Sequence, residues 1–174
     1  MNRLKTRTRA TVVALIALSA FATAAAFAQK QLAARATARP EVKVILTGTV
    51  ARGTEQIALD KAGAVHPGEV LDWKIVSSND GDGAAREYKT VAHVPAGTSL
   101  VAGTASAEYG AQVTYSIDGG RSFSPQPTVE EKQADGTVKR VPAPASMYTE
   151  VRYEWAEPFD AGAKLEASYK VRVK

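Results

Sequence analysis

The stretch KLEASYKVRVK, residues 164–174, alternates with period two along its whole length. Leu165, Ala167, Tyr169, Val171 and Val173 fall on one side; Lys164, Glu166, Ser168, Lys170, Arg172 and Lys174 fall on the other. Successive side chains of a β-strand point to opposite faces, so this pattern describes a strand with one buried and one wet face. MYTEVRYEW (147–155) repeats the device, setting Thr149, Val151, Tyr153 and Trp155 against Glu150, Arg152 and Glu154. EVLDWKIVSS (69–78) sets Leu71, Trp73 and Ile75 against Asp72 and Lys74. One apolar and one polar face per strand is the requirement of a half-buried antiparallel sheet.

The rest of the chain from Glu41 onward has the same texture. VKVILTGTV (42–50) is rich in β-branched residues, REYKTVAHV (86–94) is stopped by Pro95, and TSLVAG (98–103) is short. AQVTYSI (111–117) leads through Asp118-Gly119-Gly120 into RSFS, and TVEEKQ and TVKRV flank Ala-Asp-Gly over 128–141. Asp-Gly between apolar-patterned runs is a hairpin signal. About seven to nine strands with turns between them, and no stretch that reads as a three-turn helix, predict an all-β antiparallel sandwich over residues 41–174.

The first 28 residues belong to another class. Arg3, Lys5, Arg7 and Arg9 form a basic head, an alanine-rich apolar run follows, and Ala26-Phe27-Ala28 has the small-x-small form that signal peptidase accepts. This is the three-part plan of a Sec signal peptide, helical while it lasts, with cleavage expected between Ala28 and Gln29. The run is too short and too interrupted (Thr11, Ser19, Thr23) for a spanning helix, so no stable membrane anchor is expected after cleavage. Residues 29–40, QKQLAARATARP, carry no strand pattern and read as a flexible leader ended by Pro40. The whole chain holds 22 Lys+Arg against 18 Asp+Glu, net +4, and the four basic residues of the head account for that excess. The remainder is charge-balanced, which removes the electrostatic basis for nucleic-acid binding. Cysteine is absent, so the fold must rest on its core alone.

Three pieces of the body, HPGEVLDWKIVSSNDGDGAA (66–85), AHVPAGTSLVAGT (92–104) and VTYSIDGGRSF (113–123), come in an order and spacing that resemble a bacterial family. This is the surface-protein conserved-repeat domain, domain of unknown function eleven. Its pattern runs from a "pGe/d" turn through "N-x-G-d/e-g" and "v-P-a-G-t" to a "y-S-x-D-G-G" hairpin, and YEWAEPFDAGAKLEASYKVRV (153–173) resembles its closing strands. The resemblance spans Val42 to Val173. It implies an immunoglobulin-like sandwich of exported proteins with a structural, spacing or adhesive role, and no catalytic residues. The family usually occurs as tandem repeats; one copy is present here, too short for a long stalk.

SSNDGDG (77–83) is the densest polar stretch, and Asp80 and Asp82 are its candidate metal ligands. An EF-hand loop needs acidic or amide ligands at positions 1, 3 and 5, glycine at 6 and glutamate at 12. With Gly81 at position 6, Glu87 falls at 12 but Val76 and Ser78 occupy 1 and 3; with Gly83 at 6, Lys89 falls at 12. Neither register completes a site, and Asn79, Asp80, Gly81, Asp82 and Gly83 read first as turn residues. His66 and His93, the two histidines, lie far apart in sequence with no thiol to join them in a zinc site. No G-x-S-x-G elbow occurs, and the carboxylate pairs Glu130–Glu131 and Glu154–Glu157 read as solvated strand faces. Asn79, the sole asparagine after residue 28, sits in a loop on this reading and is a poor partner for an isopeptide bond. Trp73 and Trp155 are in phase with the buried sides of their strands and are expected in the core.

The expected function is that of an exported, non-catalytic structural or adhesion-type interaction module of the bacterial cell envelope, periplasmic or at the surface. It needs no cofactor, and its partner is an envelope protein or glycan, not nucleic acid. The candidate docking edge is the segment 104–147, with Pro125, Pro127, Pro142 and Pro144 guarding it against unwanted pairing. A weak calcium-binding extracellular module and a carbohydrate-binding sandwich are the two alternatives.

Overall fold

The structure is a computed structural model and describes residues 38–174. The expected signal peptide, its cleavage point at Ala28 and Gln29, and the leader up to residue 37 lie outside the described residues. Residues 38–40 carry no regular structure, and the compact unit runs from Pro40 to Lys174. Among the described residues no helix is long and apolar enough to cross a membrane.

The body is all-β. Its strands are β1 (Val42–Arg52), β2 (Glu55–Ala58), β3 (Val70–Asn79), β4 (Lys89–His93), β5 (Thr98–Leu100), β6 (Ser106–Ala107), β7 (Gln112–Ser116), β8 (Thr128–Lys132), β9 (Val138–Pro142), β10 (Glu150–Glu154) and β11 (Lys164–Val173). One sheet has the order β2-β1-β3-β11-β5, with β6 also pairing β11; a second has the order β4-β10-β7; β8 and β9 form a separate hairpin. Every pairing is antiparallel. The chain crosses between the two main sheets four times, from β3 to β4, back from β4 to β5, over again from β6 to β7, and back from β10 to β11. Pro95 ends β4, and Gly97, at φ 78, makes the tight return whose Thr98 N–H and hydroxyl both donate to the Pro95 carbonyl. Only glycine adopts that backbone at no steric cost.

The alternation in the sequence becomes the sandwich interior. Leu71 and Ile75 of β3, Leu165, Ala167, Tyr169 and Val171 of β11, and Ala92, Val151 and Tyr153 of the smaller sheet are buried in one cluster. Two tyrosines bolt the layers together. The Tyr153 hydroxyl, from the smaller sheet, donates to the Ser168 carbonyl in β11 at 2.7 Å, and the Tyr169 hydroxyl, from the larger sheet, donates to the His93 carbonyl in β4 at 2.8 Å. Each ring buries a large apolar surface, worth about 3 kcal/mol, while its polar tip is satisfied. Burial disfavours the phenolates, raising both groups and placing Tyr169 at about 12.

Strand order sets this sandwich apart from the immunoglobulin constant arrangement, in which the last strand lies beside the sixth in the smaller sheet. Here β11 sits between β3 and β5 in the larger sheet, and β7 takes the place beside β10. The structure also corrects three expected boundaries. The segment expected to start a strand at 147 opens as a 3-10 turn, Ala145–Met147, after Pro144, so β10 begins only at Glu150. Glu87, at φ 53, breaks the stretch from 86, and β4 begins at Lys89. Beyond the Asp118 turn, RSFS contributes a single bridge between Tyr115 and Ser124 and no regular strand.

Candidate functional site

The loop after β3 is built around one side chain. Asn79 is fully buried and is the last residue of β3, a correction to its expected place in a loop. Its Oδ1 accepts from the Glu41 and Gly81 N–H groups at 3.1 and 3.2 Å, and its Nδ2 donates to the Gly83 and Phe159 carbonyls at 2.8 and 2.9 Å. The carboxamide offers two donor and two acceptor sites, and all are used. It joins the start of β1, its own loop and the segment before β11. Asp80 lies outside this hub and is paired with Lys43 at 2.8 Å; that hydrogen bond, with the lysine's charge, holds its carboxyl below the usual range. Among the described residues no three His, Cys, Asp or Glu side chains gather as metal ligands. His66 donates its backbone N–H to Glu69 at 2.7 Å, and His93 stands exposed beside Glu150 at 3.4 Å.

The other conspicuous turns are held in the same way. Glu69 takes Arg52 Nε and Nη2 at 2.8 and 3.2 Å, while the remaining guanidinium contacts go to the Ala62 and Ala64 carbonyls at 2.8 and 2.7 Å. The Arg52 hydrogen bond, reinforced by the His66 N–H, lowers Glu69 to about 2. Asp118 accepts from the Ser122 hydroxyl and N–H, the Ser116 hydroxyl and the Arg121 N–H, which hold its carboxyl far below the usual range. These carboxylates order loops.

A groove of about 420 Å³ opens at the end of the sandwich that the Asn79 hub supports. Tyr109, Trp155, Pro158, Phe159 and Leu165 form its apolar wall, and Glu157, Asp160 and Lys164 stand at its rim. Trp155 is buried as expected; its Nε1 donates to the Glu108 carbonyl at 2.9 Å, and Tyr88 stacks on it at 5.5 Å. Trp73 is only half-buried, packed against the core with Nε1 unpaired. Tyr88 also packs on Phe159 at 5.0 Å and ties its hydroxyl to Ser77 Oγ at 2.7 Å. Tyr109 is the residue that the sequence reading passed over. It is 76% exposed and sits at φ 55, followed by Gly110 at φ 66. A non-glycine residue in the left-handed region is strained and persists only where its surroundings impose it. Here Glu108 is pinned on both sides, its N–H on the Glu166 carbonyl at 3.0 Å and its carbonyl on Trp155. The available signal was an isolated tyrosine before glycine, in Ala107-Glu108-Tyr109-Gly110, between two strands.

The arrangement defines a class, a two-sheet β-sandwich with an aromatic-walled groove at one end. Comparison with protein-family models, with curated proteins and with solved structures finds no match to the chain.

Proposed function

We propose that the chain is an exported, non-catalytic interaction module of the bacterial cell envelope, of the adhesive kind implied by the conserved-repeat resemblance. The single observation that carries this reading is Tyr109: a large aromatic ring held out into solvent in strained backbone, over an apolar groove with a polar rim. Contiguous exposed apolar surface framed by polar groups marks a docking site. An envelope protein or a glycan is the occupant. The exposed ring favours the glycan within this reading, because sugar faces stack on aromatic rings while rim carboxylates accept from hydroxyls.

The test is capture from a solubilised envelope fraction and from a panel of envelope glycans, with Tyr109→Ala as comparison. Tyr109 is largely exposed and lies outside the buried cluster, so the variant keeps its unfolding temperature and loses the captured partner. Equal capture by both proteins refutes the groove as the docking site. N-terminal sequencing of the secreted product, expected to begin at Gln29, tests export. For the weak calcium alternative, a calcium-induced rise in melting temperature reversed by EDTA would restore a role for Asp80 and Asp82.

A further inference from the structure

β1 is paired on only part of one side. It runs beside β3 from Val42 to Val50, while β2 covers its other edge only from Thr49 to Arg52. Leu59 N–H extends this cover to the Gly48 carbonyl at 2.9 Å, and among the described residues no strand lies along the edge from Val42 to Thr47. This stretch carries the longest exposed apolar run: Val44 is 51% exposed, Ile45 60% and Leu46 51%. Register places Val44 and Leu46 on the inner face, opposite Ser77 and Ile75, where the narrower three-stranded sheet does not reach them. Ile45 points to the outer face, opposite Val76. Natural sheets blunt such edges with proline, bulges or repeated charge; this stretch has one charge, Lys43, and no proline.

We infer that β1 is the seat of an isologous dimer, in which the Lys43–Thr47 edges of two copies pair antiparallel about a two-fold axis through Ile45. Three observations fit a second copy. The register through Ile45 pairs Lys43 to Thr47, residues that β2 and Leu59 leave uncovered, and it stops where Leu59 covers Gly48. That register sets Val44 against Leu46, Lys43 against Thr47 and Ile45 against itself, so apolar meets apolar and no like charges face each other, which cross-strand pairs require. The hydrogen-bond phase also agrees. Leu59 N–H donates to the Gly48 carbonyl, so the even-numbered residues of β1 present their backbone groups away from β3. Val44 and Leu46 therefore exchange N–H···O bonds with the partner copy, and Ile45 falls at a non-hydrogen-bonded pair, the position an antiparallel two-fold axis allows. The contact is self-complementary and closes at two copies. It is small, so a micromolar association is expected.

The test is mass measurement by sedimentation equilibrium in the analytical ultracentrifuge over a concentration series, on protein expressed from this sequence. Ile45→Lys places two ammonium groups across the axis and weakens the dimer at least tenfold; Ile45→Glu does the same, and mixing the two variants restores a heterodimer. Because Ile45 is exposed, both variants keep the wild-type circular dichroism. Val44→Pro is the second probe: it deletes an outward N–H without touching β3 and also gives monomer. A wild-type monomer at every concentration, a dimer indifferent to all three substitutions, or no heterodimer on mixing overturns the proposal. Tyr109→Ala leaves the dimer intact, so failure here is distinct from failure of the groove.

Discussion

Replacing Asn79 by alanine tests whether its carboxamide organises the end of the sandwich. The change removes four hydrogen bonds at once, to Glu41, Gly81, Gly83 and Phe159. The bond to Phe159 is wholly buried and water does not replace it, but the carbonyl keeps the Ala85 N–H, so the loss is about 1–1.5 kcal/mol. The other three are partly buried, and water recovers some of each, leaving about 0.5–1 kcal/mol apiece. The total is roughly 2.5–4.5 kcal/mol, a large share of a domain's stability. In urea unfolding followed by tryptophan fluorescence, the midpoint should fall by about 2 M at unchanged slope. A fall smaller than about 0.5 M refutes the hub, because it means the four backbone groups find other partners. Asn79→Asp sharpens the test, since it keeps the shape but turns an oxygen towards two carbonyls. That environment raises the aspartate's folded-state pKa, so the variant should be relatively more stable below the unfolded value of about 4 and lose that advantage as pH rises.

Gly48→Ala should cost about 1–3 kcal/mol, because an added Cβ would lie 2.5 Å from Leu59 Cδ1 and 2.9 Å from Trp73 Cζ3; thermal melting reads it. Arg52→Lys keeps the charge but cannot reach Glu69, Ala62 and Ala64 together, so amide exchange over residues 62–66 should quicken by at least tenfold. Glu69 and Asp118 are depressed in the folded state, so the stability they supply is full above about pH 4.5 and drains as pH falls towards 2. Urea midpoints measured from pH 6 to 2 should show this loss, and Glu69→Gln should flatten part of it.

The strands β3, β10 and β11 were legible because each keeps period two, and the faces assigned to them are those turned to the sandwich interior. β2 and β6 were not, because four and two residues are too short to show a period. They exist because β1 and β11 offer edges for them. Asn79 read as turn punctuation since its type and its glycine neighbours are those of turns; its burial depends on Phe159, far along the chain. Tyr109 escaped for the same reason. Its left-handed backbone is imposed through Glu108 by Trp155 and Glu166, and the local sequence announces only a tyrosine before a glycine. The apolar run Val44-Ile45-Leu46 was read correctly as strand, but the exposure of Val44 and Leu46 follows from the unequal widths of the two sheets, and Ile45 lies on the outer face. The segment 104–147, expected as the docking edge, holds β6, β7 and the β8–β9 hairpin, and Tyr109 lies within it.

The position of β11 has a kinetic consequence. It is the last strand in order, yet it lies at the middle of the larger sheet, pairing Ser78 with Lys164 and Val70 with Arg172. β3 must therefore wait for partners more than eighty positions downstream. Loop-closure entropy has to be overcome before such pairings bring any return, which makes closure slow. A chain emerging N-terminus first lacks the strip that joins β3 to β5 until residues 164–173 are out. Until then the strands before β11 have no finished sheet to enter, and folding waits on its arrival.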